Sequence, residues 1–408
     1  MISSKYSLLK LLVFLLLVSL VLISGCEEAP SVDEVDEVDE EEAVDEEEAV
    51  DEEALLPETI NAMTYDVGGA VYISTSTIGE VMLEKYGQRY RVTPSSTSVA
   101  RHYPMRTQDA HMAFTGIDAF LMQEGIMEYA DIDWGPQPIR ILWFAQTGGL
   151  PLAVRGDSDI ETIEDLGGRR VATYPGSEAI TMTAEANIRF GGFTWDDVEP
   201  VEVASLPDGV ELAMAGEIDA AIVSTGAPLT YEWADRSWGI RYLELPLDNQ
   251  DGWEMARVAH PEFTGVTYTS GAGIEEGEAI EVGTASSPRI TTLDWLDDEI
   301  AYFVTKVIHE EHEELARRYE PMSEYWTMEQ NLTFFASSIN PFHEGTVRYL
   351  EEIGIWTDEY EAMQQERLQR QEELKVLWDE VLEEAIEQGI SSADYPEFWL
   401  ERRSEAGF

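Results

Sequence analysis

The chain has 408 residues, enough for two or three domains of about 100–200 residues each. It carries 82 acidic against 25 basic residues, a net charge of −57, which argues against nucleic-acid binding. With 44% hydrophobic and 10% aromatic residues, most of it should fold around a core rather than stay disordered.

The N-terminus reads as an export signal. Lys5 and Lys10 accompany an uncharged apolar run over residues 11–23, too short for a transmembrane helix of about 20 residues. Leu22-Ile23-Ser24-Gly25-Cys26 resembles a lipobox, the cleavage and acylation site of bacterial lipoproteins; an ordinary signal peptide that happens to hold a cysteine is the plainer alternative. Cys26 is the only cysteine, so its lipidation leaves no thiol for catalysis, disulfides or metal. Residues 1–25 are thus expected to be a lipoprotein signal peptide, with the mature chain lipid-anchored outside the cytoplasmic membrane. Residues 26–58 read as an acidic, disordered stalk: 18 acidic residues lie between Glu27 and Glu58, and blocks of like charge repel and stay extended. Lysine is scarce (Lys5, Lys10, Lys85, Lys306 and Lys375), which suggests a salt-loving host where screening removes self-repulsion. An acidic calcium-binding surface is the alternative, but no D-x-[DN]-x-[DN]-G loop occurs.

From Thr59 short apolar strands alternate with helical runs. Residues 61–65 read as a strand, Gly68-Gly69 as a turn opening a helix over 74–86, and 90–94 as a second strand. Ser95-Ser96-Thr97-Ser98 caps another helix. Strands follow at 110–114, 139–145 and 152–155, then a helix and turn from Ile163 into a strand at Val171. Residues 201–203 and 220–223 continue the alternation. The pattern is α/β with a largely parallel sheet. Residues 293–318 and 328–338 read as helices, and a long charged helix is expected over 358–388, ended by Gly389. Its apolar face fits packing on the body or, alternatively, docking of a partner.

Three segments share one design: a strand, a small polar or glycine loop, then a helix. They are Gly68-Gly69, the run Ser95 to Ser98, and Pro175-Gly176-Ser177. A helix N-terminus leaves about four backbone N–H groups unpaired and carries about half a positive charge, so such loops can cap a helix or cradle an anion. Arg101, Arg155 and Arg257 are candidate ligand partners, though each fits a surface position too. Catalytic patterns are lacking. His309-Glu310-Glu311-His312 spaces its histidines three apart where a zinc-protease helix needs four, and reads as a solvated face. There is no G-x-S-x-G elbow and no P-loop. Asn331-Leu332-Thr333 is a glycosylation sequon by pattern.

These residues resemble the TAXI-type solute-binding proteins of TRAP (tripartite ATP-independent periplasmic) transporters. The likeness rests on Gly68-Gly69-Ala70-Val71-Tyr72, Ser96-Thr97-Ser98-Val99-Ala100, Pro175-Gly176-Ser177, Gly216-Glu217-Ile218-Asp219-Ala220-Ala221, Thr225-Gly226-Ala227-Pro228 and the run from Pro341 to Tyr349. It covers residues 59–354. It departs in three places: no glycine pair precedes the second loop's serine, Glu178 follows Gly176-Ser177, and Gly116-Ile117 stands where a more polar pair is usual. The resemblance implies a type II periplasmic-binding-protein fold, two α/β lobes with a central ligand cleft, plus a C-terminal helical extension. Lobe one would comprise 59–147 and 266–354, lobe two 150–265, and the extension 355–408. The implied function is non-enzymatic: capture of a small organic anion, such as an amino acid or dicarboxylate, and delivery to a TRAP membrane permease. No cofactor and no metal are implied. The implied ligand-binding residues are Gly68, Gly69, Tyr72, Ser96, Thr97, Ser98, Thr115, Pro175, Gly176, Ser177, Thr225 and Gly226. His343 could touch ligand or serve the hinge. A subunit of an ATP-driven importer, or a sensor or partner-binding lipoprotein, are the alternatives.

Overall fold

The computed structural model describes residues 56–408. The expected signal peptide, Cys26 and nearly all of the stalk lie outside them. Among the described residues twelve strands follow in order: β1 Thr59–Thr64, β2 Arg89–Pro94, β3 Met112–Thr115, β4 Ile139–Phe144, β5 Leu152–Arg155, β6 Arg170–Thr173, β7 Glu199–Glu202, β8 Ala221–Ile222, β9 Ile240–Tyr242, β10 Thr264–Tyr268, β11 Ile280–Thr284 and β12 Arg289–Leu293.

The first sheet has the order β2-β1-β3-β12-β4. β1 runs parallel to β2 and β3, and β12 is antiparallel to both of its neighbours. The second set has the order β8-β5-β9, with β5 antiparallel to both. β6 pairs in parallel with β7, and Val171 bridges to Ala220 just before β8. The second group therefore runs β7-β6-β8-β5-β9, the arrangement of the first. In each, one antiparallel strand is supplied by chain arriving from the other lobe. This is the two-lobed α/β fold, joined by crossing segments, that the resemblance implies.

Burial follows strand position. β3 and β12 lie inside the sheet and are buried along their whole length, whereas the edge strand β2 keeps most of its side chains exposed. A sheet covered on both faces needs apolar or satisfied residues on both. β4 lies at an edge yet is fully buried, because the chain itself covers that edge. The Ile141 N–H donates to the Pro341 carbonyl, and the His343 N–H donates to the Ile141 carbonyl, each at 2.9 Å. In the first core, Ile78 and Met82 meet Val304 and Ile308 around Phe114 and Leu142. In the second, Ala184 and Ile188 pack on Val154, Val171 and Ile222. Two crossing segments lie side by side: the Ala145 N–H donates to Pro288 O (2.9 Å), and the Leu150 N–H to Gly283 O (2.8 Å).

Several sequence expectations need correction. The helix expected over 293–318 begins only at Asp298, because Leu293 ends β12, and it breaks at Glu311 into Asp298–Glu310 and His312–Arg318. Ile163–Leu166 is a single 3-10 turn. His309 and His312 are not on a solvated face: both are half-buried, their rings bonded to the Tyr349 hydroxyl (2.7 Å) and the Met322 carbonyl (3.0 Å). Asn331 of the sequon is buried, and its Oδ1 accepts the Phe144 N–H at 2.9 Å, so a glycan has no room in the folded chain.

The long helix forms as Asp358–Gln388, ending on Gly389 with φ 70°. Leu374, Trp378, Val381 and Ala385 pack with Tyr395 and Trp399 of a final helix, Tyr395–Glu405, and with Ala130. The Trp399 indole N–H donates to the Gly125 carbonyl at 2.7 Å. Glu124, without solvent exposure, is paired by Arg370 at 2.7 Å and also by Arg403. A buried carboxylate stripped of its partners costs several kcal/mol, so the extension is part of the first lobe's packing. Trp399→Ala is accordingly expected to lower stability by about 3–5 kcal/mol in urea unfolding. A loss below about 1 kcal/mol would contradict the packing role.

Candidate functional site

The site is built around one buried carboxylate. Asp118, fully buried, begins the helix Asp118–Glu124 directly after β3. Four donors converge on it. The Ser98 hydroxyl donates to Oδ1 at 2.6 Å, the Tyr65 hydroxyl to Oδ2 at 3.1 Å, and the Gly116 N–H to Oδ2 at 3.2 Å. The Arg101 Nη2 reaches both oxygens at 3.5 Å. Arg101 is also fully buried; its Nη1 donates to the Ser95 carbonyl at 3.2 Å, and its guanidinium stacks 3.8 Å from the Tyr65 ring centroid. Burial pushes the Asp118 carboxyl up, but Arg101, His102, Ser98 and Gly116 outweigh it and bring it down to about 2. It is ionised at neutral pH. Arg101 is thus not the surface residue its sequence context suggested. Arg155 instead pairs with Asp157 at 2.8 Å on the second lobe, and Arg257 is exposed.

This network reaches across the lobes. The Ser98 N–H donates to the Gly176 carbonyl at 2.9 Å, and the Ser98 and Ser177 hydroxyls lie 3.2 Å apart. The Ser98 proton is directed at Asp118 Oδ1, the shorter contact, with Ser177 Oγ as its second, longer acceptor. Gly176 is needed for this approach: a Cβ there would stand 3.0 Å from Thr97 Cγ2. Ser177 is the N-cap of the helix Glu178–Phe190.

Beside these contacts lies a cavity of about 90 Å³ between the lobes. Tyr65, Gly69 and Ile117 face it from the first lobe, and Ala179, Ile180 and Ser224 from the second; Ser287 of a crossing segment and His260 complete the wall. His260 is buried, and its Nδ1 has no hydrogen-bond partner among the described residues. Desolvation lowers its pKa to about 4, so the ring is neutral at pH 7. His102 is likewise pulled down to about 3 by burial, with Nδ1 2.5 Å from the Tyr129 hydroxyl.

The residues implied by resemblance do not gather in one place. Gly69 lines the cavity, and Gly68, at φ 90°, forms the turn before it. Ser98, Gly176 and Ser177 form the contact between lobes, with Thr97 against Gly176. Ser96 lies on an outer groove with Asp66 and Pro207, and Pro175 is exposed. The others serve the scaffold. Thr115 bonds Thr291 at 2.7 Å inside the sheet; Thr225 Oγ1 accepts the Gly149 N–H at 3.0 Å; the Gly226 carbonyl accepts from Tyr319 at 2.7 Å. Tyr72 sits in the first turn of the helix Ala70–Tyr86, off the cavity wall. Asp118, Tyr65 and His260 were missed in sequence. A carboxylate two residues after Gly116 carries a signal only once Arg101 is known to face it. His343 is structural: Nδ1 accepts the Gly345 N–H at 3.1 Å and Nε2 donates to Leu296 O at 3.0 Å. With both nitrogens used, its proximity to Asp298 and Glu344 makes no metal site.

The titration behaviour can be checked. Both histidines contribute stability that falls as pH drops from about 6.5 toward 4, because only the unfolded chain then takes up their protons. Glu128, pushed up to about 8 chiefly by burial, acts in the opposite sense: stability rises as its carboxyl becomes protonated. The clean readout is therefore site-specific. The imidazole NMR resonances of His102 and His260 should not titrate between pH 8 and 5.5. A midpoint near 6.5 at His260 would contradict its burial in a neutral form.

No helix among the described residues is long and apolar enough to cross a membrane. No curated protein matches the chain. Among solved structures, the periplasmic aliphatic sulphonate binding protein SsuA from Escherichia coli is similar at 15% identity, over 79% of this chain and 89% of that one, with a TM-score of 0.42. An ancestral arginine-binding protein bound to glutamine is similar at 13% identity, over 66% and 98%, with a TM-score of 0.39. The substrate binding protein of an amino acid ABC transporter is similar at 12% identity, over 65% and 97%, with a TM-score of 0.37. Likeness at this level says nothing about the ligand. Residues 63–354 match the NMT1-like family, and the chain belongs to that family.

Proposed function

We propose that the chain is an extracytoplasmic solute receptor, without catalytic activity, whose lobes close on a small organic solute and present it to a membrane permease. One observation carries this reading: a cavity walled by both lobes lies beside the two crossing segments, about which a rotation of the lobes would widen or close it. The lobes meet through the Ser98–Gly176 backbone bond, the Ser98–Ser177 hydroxyl pair, the Tyr319 hydroxyl on the Gly226 carbonyl (2.7 Å) and apolar packing of Ala179 and Met182 against Met105 and Ile117. Each hydrogen bond contributes about 0.5–1.5 kcal/mol net, so contacts of a bound solute add to a balance of open and closed forms that these groups already bias. Resemblance in the loops at Gly68, Ser98 and Ser177 favours a TRAP permease of the TAXI type as the receiver; an ATP-driven importer is the second reading. Anchoring through Cys26 and adaptation to high salt belong to the same proposal and rest on sequence alone.

The ligand carboxylate expected at Ser98 and Ser177 finds the Ser98 hydroxyl engaged. Asp118 takes its proton, and Ser177 Oγ lies against it as a second acceptor. The cradle between the loops therefore holds a carboxylate of the protein's own.

A thermal-shift panel of amino acids, dicarboxylates, amides, alcohols and sugars tests the receptor reading. A solute at about 100 times its Kd adds roughly 2.7 kcal/mol to stability. Ile180→Trp, which fills the cavity, should abolish the shift while the chain stays folded. No shift from any class, with no solute retained from expression by mass spectrometry, would contradict the proposal.

A further inference from the structure

We infer that the cavity takes a small, uncharged, mainly apolar solute whose single polar group, a carboxamide or hydroxyl, bonds to His260. The inference rests on the receptor reading and narrows its ligand.

Four observations lead there. First, no Lys or Arg lines the cavity. The nearby cations are committed elsewhere: Arg101 to Asp118, and Arg289 to Glu262 and Asn340. An unpaired anion in such a space would carry an uncompensated desolvation cost. Second, the one charged group on the wall, Asp66, already has its pKa raised, first by burial and further by Asp208, against the pull of Arg101. A ligand carboxylate would add a like charge beside it. Third, most of the wall is aliphatic: Val71, Leu150, Ile180, Leu206, Ile222 and Ala285. About 90 Å³ is less than the roughly 150 Å³ that holds benzene in an engineered apolar cavity, so the closed form suits a solute of only a few heavy atoms.

Fourth, the polar groups left free match a neutral partner. A neutral imidazole offers one donor and one acceptor, and the buried Nδ1 of His260 lacks a partner among the described residues. Ser287 adds a hydroxyl with no partner among those residues. Thr183 and Ser224, also on the wall, are satisfied by the carbonyls of Ala179 (2.8 Å) and Thr147 (2.5 Å). A buried polar group left unpaired carries a desolvation penalty, so a carboxamide or hydroxyl that pairs with His260 gains that penalty back. Ala70 and Ala179, on the wall, lie in the first turns of the helices Ala70–Tyr86 and Glu178–Phe190, where free amides serve a carbonyl oxygen as well as a carboxylate.

Three small solutes separate the charge classes: propionamide, propionate and propylamine, titrated calorimetrically into the full chain at pH 7. The amide should bind at least tenfold more tightly than either ion. His260→Phe should weaken the amide about tenfold, and the milder Ser287→Ala should weaken it less. Tighter binding of propionate or propylamine would overturn the neutral-ligand inference while leaving the receptor reading intact. No binding of any of the three would also overturn it, and the solute panel above then decides whether the receptor reading falls too. Equal weakening of all three by His260→Phe would show a general packing effect and refute the bond to His260.

Discussion

A carboxylate without access to water must be met by donors from several directions, and Asp118 organises the centre of this molecule through that requirement. Its partners come from separate stretches of chain: Tyr65 after β1, Ser98 and Arg101 at the next helix, and Gly116 after β3. Satisfying one ion therefore fixes the relative positions of three loops at the carboxyl ends of parallel strands. Arg101 is held in turn by the Ser95 carbonyl and the face of Tyr65. Removing either charge alone would leave the other buried and unpaired, the costlier state.

The lobe contact is an outgrowth of this network. Ser98 gives its hydroxyl proton inward to Asp118, with Ser177 Oγ as the longer, second acceptor. Its backbone N–H is left for Gly176. The lobes also meet through Tyr319 on the Gly226 carbonyl and through Ala179 and Met182 packed on the first lobe, while the crossing segments are held by repeated backbone bonds and by the Thr284–Gln146 pair at 2.8 Å. The proposed closure on a solute would turn about these segments.

Much of the architecture could be read in the sequence because strands, glycine turns and helix caps are local signals. β1 to β6 were visible as short apolar runs, and the helix after Ser177 as a cap followed by a periodic pattern. β12 was not, because Arg289-Ile290-Thr291-Thr292-Leu293 carries an arginine and two threonines that only its central position makes sensible: Arg289 bonds Asn340, and Thr291 bonds Thr115. The site was legible by half. Glycine and serine loops marked where the lobes meet. The ion that fills their cradle, and the unpartnered His260, depend on side chains 17 and more residues apart whose pairing no spacing rule reveals. The extension was legible as a helix but not in its attachment, which turns on Glu124 meeting Arg370 and Arg403 from far along the chain.

The central claim is that the two lobes move about the crossing segments and close over the cavity. Tyr103 and Val258 are exposed, one on each lobe, and suit spin labels introduced through Tyr103→Cys and Val258→Cys in a Cys26→Ser background. Pulsed electron–electron resonance should then give two distance populations without solute, and only the shorter one with a solute that stabilises the chain. A single distance, unchanged by any such solute, would contradict the account.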